Sequence, residues 1–325
     1  MTLARRQLLS LGMSLTALPA LAATSGWPRA LIMCTGRPGG DYMIYGPTWG
    51  ELIHRKTGTN IVYRASGGAE ANILLLDENA AQLGITTTAI AHEAWFGGEA
   101  WTAGAHINSF RALFPAFPSV LQIVSPRRTG ITTLAQLAAQ NIGIGPLGSS
   151  SAAILPSLFR SIGVIPSSMV TEDYPIQLHN MLAGRLTACA FIGAPPVPAI
   201  ANAAMGHRLS LIGFSPAEAR QVADTLPGMT PMIIDAGVFP GQLAAISSVG
   251  TTNIAICRAD LPNMLAQNIT SAALNNRGLL AAAVPAATSI PNIKCVTDAG
   301  IPFHPGAAAA LHAAGIKVEK KYIQS

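Results

Sequence analysis

Three times in this sequence an apolar run that reads as a β-strand breaks into a glycine-rich turn and re-emerges as a helix. The first run, 30–34, stops in Thr35-Gly36-Arg37-Pro38-Gly39-Gly40-Asp41, and a helical pattern over 44–56 follows, closed by Gly58. The second turn, Ser66-Gly67-Gly68, joins a strand ending at Tyr63 to a helix beginning at Ala69. The third holds Gly145, Gly148 and the triplet Ser149, Ser150, Ser151 ahead of a helix over 150–162. Strand–turn–helix units of this kind build sheets covered by helices on both faces. In open α/β sheets the turns beyond the carboxyl ends of the strands are where ligands sit. Glycine allows close backbone approach and positive φ, and Asp41 is a good N-cap for the helix after it. Helix amides and the serine hydroxyls beside them favour a negative group.

The alternation continues along the chain. Strands are expected at 30–34, 60–63, 83–86, 119–125, 141–145, 188–192, 208–212 and 247–257. Helices are expected at 44–56, 69–77, 89–96, 133–138, 150–162, 176–183, 216–226, 262–276 and 305–314. The strands are expected to be parallel. Residues 27–124 form one α/β lobe and 125–241 a second, and the strongly β run after 242 returns with residues 242–325 to complete the first. A chain that crosses between lobes twice has the geometry of a hinge.

Residues 1–22 read as an export signal. Arg5 and Arg6 precede an apolar run over 8–22 that Gly12 and Pro19 interrupt, and Ala20-Leu21-Ala22 is a small-x-small cleavage pattern. Arg5 and Arg6 before Gln7, Leu8 and Leu9 resemble a twin-arginine signal, with Ala4 where Ser or Thr is usual, so twin-arginine and ordinary secretion both stay open. Either route points to the periplasm. No later apolar run reaches the ~20 residues of a membrane helix, so the exported part is expected to be soluble. The formal charge of +5 is scattered and aromatics are only 6%, which argues against a nucleic-acid partner. Cys34, Cys189, Cys257 and Cys295 form no Cys-x-x-Cys pair; buried free thiols are the simpler reading, and an oxidising compartment also allows any of three disulfide pairings. No metal or other cofactor is expected.

An enzyme is not expected either. Phosphate-loop and dinucleotide fingerprints are missing, as are a Gly-x-Ser-x-Gly elbow, a His-Glu-x-x-His pair and paired carboxylates. Ser150 at a helix start has no nameable base. His304, in "GIPFHPGAA", is better placed to bond backbone in a rigid turn than to catalyse.

Together these motifs resemble the TAXI family, the solute-binding subunits of one class of tripartite ATP-independent periplasmic (TRAP) transporters. The resemblance rests on "TGRPGGDYMIYG", "SGGAEANILLL", "LGITTTAIAHEAWFG", "GIGPLGSSSA", "RADLP" and "GIPFHPGA", which span almost the whole exported chain. It implies a two-lobed periplasmic binding protein fold, type II-like, with a hinge and an interlobe cleft. It further implies a small carboxylate-bearing solute, glutamate- or 2-oxoglutarate-like, delivered unchanged to a TRAP membrane permease.

On that basis Gly39, Gly40 and Tyr42 form one wall, Ser66, Gly67 and Asn72 another, and Ser149, Ser150 and Ser151 the closing lobe. Thr87 and Thr88 stand second, and Arg37 and Arg64 are the candidate carboxylate partners. The chain departs from the family pattern at Arg37-Pro38, where small residues are frequent, at Asp41, where Thr is frequent, and at Ala69, Thr87 and Thr88. Those departures open the site to a less polar or aromatic carboxylate, and the expected ligand is a small organic acid or amino acid. A solute-binding protein of the tricarboxylate or thiamine-precursor kind, a sensor receptor, and an exported enzyme using Ser150 or His304 are the alternatives.

Overall fold

Two strands much longer than the rest organise the molecule. The structure is a computed structural model that describes residues 27–97, 101–288 and 292–324; the export segment read at 1–22 lies outside them. In the first half, β1 (Ala30–Cys34), α1 (Tyr42–Thr57), β2 (Asn60–Arg64), α2 (Ala69–Asp77), β3 (Leu83–Thr87) and α3 (Thr88–Phe96) lead into β4 (Phe110–Pro126). There follow β5 (Asn141–Gly143), α4 (Ser150–Ser161), β6 (Ser168–Val170), α5 (Tyr174–Leu182), β7 (Ala188–Gly193) and α6 (Pro198–Gly206). Next come β8 (Leu209–Ile212), α7 (Pro216–Thr225), β9 (Thr230–Ile234) and β10 (Ile246–Arg258). The chain ends in helices α8 (Asn263–Leu274), α9 (Arg277–Ala283), α10 (Lys294–Asp298) and α11 (Pro305–Ala313). No helix among the described residues is long and apolar enough to cross a membrane.

The strands form one sheet in the order β2-β1-β3-β10-β4-β7-β5-β6, with β8 against β4 and β9 against β10. Pairing is parallel within β2-β1-β3 and within β6-β5-β7. It is antiparallel wherever β4 or β10 takes part. The expectation of wholly parallel strands is therefore corrected. β4 and β10 run against their neighbours because each carries the chain from one half of the sheet to the other. β4 has 17 residues and β10 has 13. The start of β4 is bonded to β10 and its end to β7 and β8. The start of β10 is bonded to β9, and its end to β3 and to the start of β4. Side by side, they join the two halves near Ser119 and Thr251, which are register partners.

The cores follow from the alternation of apolar positions. In α1, Tyr45, Trp49, Leu52 and Ile53 recur at helical spacing and are buried. Trp49 meets Phe114 of β4 edge-on, 5.5 Å between ring centroids. Gly58 ends α1 at φ 73°, its N–H bonded to His54 O, and Arg55 and Lys56 stand at the negative end of the helix dipole. Beyond the crossing, Phe191 of β7 packs with Val120 and Val124 of β4, and Phe159 of α4 with Ile142 and Ala188. Each such ring contributes about 2–3 kcal/mol by burial. The four cysteines are unpaired: Cys34, Cys189 and Cys257 are buried in strands, and burial pushes the Cys34 thiol up to about 12.

Candidate functional site

The three glycine turns meet. Gly36, Arg37, Gly40, Asp41 and Tyr42 line one side of a cleft between the halves of the sheet. Gly67, Gly68 and Ala69 line a second side, and Ser149 and Ser150 a third. Tyr174 at the start of α5 and Gly193 at the end of β7 close the far side. Ser119 and Asn253, from the two crossing strands, make the floor. The enclosed space is about 40 Å³. It is narrow because the turns nearly touch: a Cβ on Gly67 would overlap the Leu147 carbonyl oxygen, and one on Gly68 would stand 3.1 Å from Ser149 Cα. Gly68 also holds φ 134°, a conformation side chains rarely adopt.

Direct bonds cross the cleft. The N–H groups of Glu70 and Ala71, in the first turn of α2, both donate to Gly148 O at 3.1 Å. Ala194 N–H donates to Asp41 Oδ2 at 2.7 Å. Arg37 Nε stands 3.7 Å from Asp173 Oδ1 at the rim. One expectation is corrected here. The Asp41 side chain caps no helix; residue 41 is itself helical, φ −66° and ψ −31°, and its carboxylate reaches across to the other half. The α2 amides do not face open space. Their N-cap, Gly68, has no side chain to accept from them, so they turn to the Gly148 carbonyl.

Several residues read as cleft-lining instead brace the turns. Asn72 is fully buried, and its Nδ2 donates to Thr35 O at 2.8 Å and Ile85 O at 2.7 Å. Ser66 Oγ lies 2.6 Å from Asn72 Oδ1 and accepts from Gly68 N at 3.2 Å. Ser151 Oγ accepts from Ile192 N at 2.8 Å, and Ser149 Oγ caps α4 by accepting from Ala152 N at 3.2 Å. Thr87 caps α3, and Thr88 Oγ1 lies 2.9 Å from Thr251 Oγ1. Gly39 turns outward against Pro175, and exposed Arg64 reaches Ala80 O at 3.4 Å, away from the cleft. Thus Gly40, Tyr42, Gly67, Ser149, Ser150 and Arg37 line the space, whereas Ser66, Asn72, Ser151, Thr87, Thr88, Gly39 and Arg64 do not.

Ser119, Asn253, Tyr174, Asp41 and Gly193 line the cleft and were not among the expected site residues. Tyr42 Oη donates to Asn253 Oδ1 at 2.6 Å, and Asn253 Nδ2 donates to Ser119 Oγ at 2.6 Å and Phe117 O at 3.0 Å. This network ties α1 to both crossing strands at the floor. Tyr174 packs edge-on to Phe191, 4.8 Å between centroids, and lines the cleft with Ser149 and Ser150. Burial raises both tyrosines above their ordinary range, with the Asp41 charge adding to it. Burial also pushes Asp41 up to about 6, against the opposing pull of the Ala194 N–H. Gly193 is a glycine for a visible reason: a Cβ there would press on Val197 and stand 3.1 Å from Asp41 Oδ2.

Among the described residues, neither Ser150 nor His304 meets a partner that would make it a nucleophile or a base. Ser150 is 7% exposed and has no hydrogen-bonded histidine or carboxylate among the described residues. His304 accepts from Gly306 N through Nδ1 at 3.1 Å, and its Nε2 lies 2.8 Å from Leu261 O. Both ring nitrogens are thus engaged with backbone at the start of α11, the turn-bracing role its sequence context suggests.

Solved structures share this architecture. MatC from Rhodopseudomonas palustris, solved with bound malate, matches with a TM-score of 0.57 at 12% identity over 84% of this chain and 95% of that one. A structure described as a periplasmic transporter matches with a TM-score of 0.56 at 13% identity over 89% and 98%. The alkanesulfonate-binding protein SsuA from Xanthomonas axonopodis pv. citri, bound to MOPS, matches with a TM-score of 0.52 at 12% identity over 92% and 97%. At these identities the likeness is one of fold, the two-lobed α/β fold of periplasmic binding proteins. The model of the NMT1-like family matches residues 33–315.

Proposed function

The chain belongs to the NMT1-like family, and on that premise we propose that it is a periplasmic solute-binding protein that traps a small solute between two hinged lobes and releases it unchanged. The lobes are residues 27–124 with 242–325, and 125–241; the hinge lies in β4 and β10. The observation that carries this reading is the meeting of glycine and serine turns from both halves on one cleft, with hydrogen bonds passing between the halves at Gly148 and Asp41. Ligand contacts come from Gly40, Tyr42, Gly67, Ser149, Ser150 and Arg37, to which the geometry adds Ser119, Tyr174 and Asn253. No bond-breaking step belongs to this reading.

An acid-bearing solute is supported by the hydroxyls of Ser149 and Ser150 and by Arg37, whose guanidinium can grip a carboxylate in two-pronged fashion. The partner we propose is a TRAP permease, on the strength of the TAXI resemblance. Binding to the folded protein alone stabilises it by about 2.7 kcal/mol at a hundredfold excess over Kd. A thermal-shift screen of dicarboxylates, amino acids and aromatic acids should therefore yield one class that raises Tm, with a smaller radius of gyration in solution scattering. Failure of every class to do either would refute solute capture. For the partner, uptake into vesicles driven by an ion gradient supports a TRAP permease; a strict requirement for ATP excludes it.

A further inference from the structure

The cleft holds a half-buried carboxylate with no positive partner among the described residues. Asp41 lines it, with Oδ2 fixed by the Ala194 N–H at 2.7 Å. The titratable groups packed around it are Tyr42 on its own helix, Tyr174 and Asp173 at the start of α5, and Arg37 in its own turn. Tyr42 gives its proton to Asn253, and both tyrosines are neutral phenols that bring no positive charge to a carboxylate. Arg37, the one cation lining the cleft among the described residues, leans outward to Asp173 with its side chain 49% exposed. No side-chain cation stands within ion-pair distance of Asp41 among the described residues.

We propose that Asp41 selects the solute: the ligand carries an amino group that docks on this carboxylate, so the site takes a small amino acid or amine in preference to the oxo acid or dicarboxylate of the same skeleton. This rests on the solute-binding reading above and narrows it. A second carboxylate placed here would meet a like charge in a poorly solvated space. An ammonium supplies the missing counter-charge, while Arg37 and the Ser149 and Ser150 hydroxyls remain for a carboxylate end. Closure becomes ligand-dependent for the same reason. Desolvation raises the Asp41 carboxyl to about 6 with the halves in contact, so an unpaired charge there opposes that contact. An ammonium removes that opposition. The close approach of Gly67 to Leu147 and the small enclosed space favour a short skeleton.

Calorimetric titration with matched pairs tests this: alanine and pyruvate, glutamate and 2-oxoglutarate, aspartate and malate, with a simple alkylamine added. The amino member of at least one pair should bind tenfold or more tightly than its partner. Asp41→Asn keeps an acceptor for the Ala194 N–H and removes only the charge, so it should abolish that preference without lowering the ligand-free Tm. Should Asp41→Asn not fold, the wild-type pH profile decides: affinity for the amino solute should fall as pH drops below about 6, and that for the oxo acid should not. Oxo or hydroxy acids binding as well as their amino counterparts, or an unaltered preference in Asp41→Asn, would overturn the role of Asp41 and leave solute capture standing. No binding by any member of any pair would overturn both.

Discussion

The second and third glycine turns look alike in composition and differ in how their helices are finished. Helix α4 is self-sufficient: Ser149 caps it from within, its Oγ accepting from Ala152 N. Helix α2 is not. Its N-cap is Gly68, which offers no side chain, and the N–H groups of Glu70 and Ala71 rely on the carbonyl of Gly148 from the other half. One turn is complete before the halves meet, and the other is completed by their meeting. Exchanging water for the Gly148 carbonyl contributes about 1 kcal/mol per bond, so on the hinged-lobe reading α2 favours closure while α4 only supplies the surface to close on. Asp41 opposes closure in the same contact, by losing its hydration. On the proposed reading, the balance between these groups is what a bound solute tips.

The comparison breaks most completely at Gly67. Gly67→Val places branched carbon where the Leu147 carbonyl must pass, so the halves should fail to meet. Solute affinity should drop more than a hundredfold in titrations, and the radius of gyration should no longer shrink on adding solute. The circular dichroism spectrum should be unchanged, since the clash lies between the halves.

Next comes the pH dependence that Asp41 imposes. Its folded value, about 6, lies above the ordinary 3.8, so between those values the folded chain holds the extra proton. Stability from this group is then greatest below about 4, falls as pH rises through 6, and is level above. The difference amounts to at most about 3 kcal/mol. Denaturant titrations of wild type and Asp41→Asn across pH 4–7 should diverge by that amount with that sign; parallel curves would show Asp41 to be well solvated.

A smaller effect separates the two caps. Ser149→Ala should cost about 1 kcal/mol in chemical unfolding through the lost α4 cap and leave the α2 amides as they were. Smallest of all, Arg37→Ala removes a rim pair that is half exposed. It should change stability by less than about 1 kcal/mol and, if Arg37 grips a carboxylate, weaken acid-bearing solutes selectively.

Much of the architecture could be read from local pattern. β1 and α2 occupy the very residues expected, 30–34 and 69–77, because a glycine turn ends the first and another begins the second. The first half of β4 was missed because Pro115 and Pro118 interrupt it, and proline cannot donate to a ladder. The chain accommodates them at an irregular pairing, with register shifts in β10 at Asn253/Ile254 and Ala255/Ile256. β6 is only 3 residues long and carries no periodic signal. That both long strands run antiparallel to their neighbours is a property of the crossing, which local alternation does not encode.

The site divides in the same way. Glycine and serine turns announce themselves, so Gly40, Gly67, Ser149 and Ser150 were in view. Ser119 and Asn253 reach the cleft only because β4 and β10 lie side by side there. Ser66 and Asn72 look like ligand groups in sequence, yet their polar atoms are consumed by Thr35, Ile85 and each other. Asp41 stands where an N-cap is expected, and only the bond to Ala194, 153 positions away, shows its other use.

Residue-resolved hydrogen exchange on the α2 and α4 amides tests the coupling of closure to solute most directly. Without solute, the Glu70 and Ala71 N–H groups should exchange quickly, while Ala152 and Ala153 are protected; saturating solute should slow Glu70 and Ala71 at least tenfold and leave Ala152 and Ala153 nearly unchanged. Equal protection of Glu70 and Ala71 with and without a solute that demonstrably binds would contradict it.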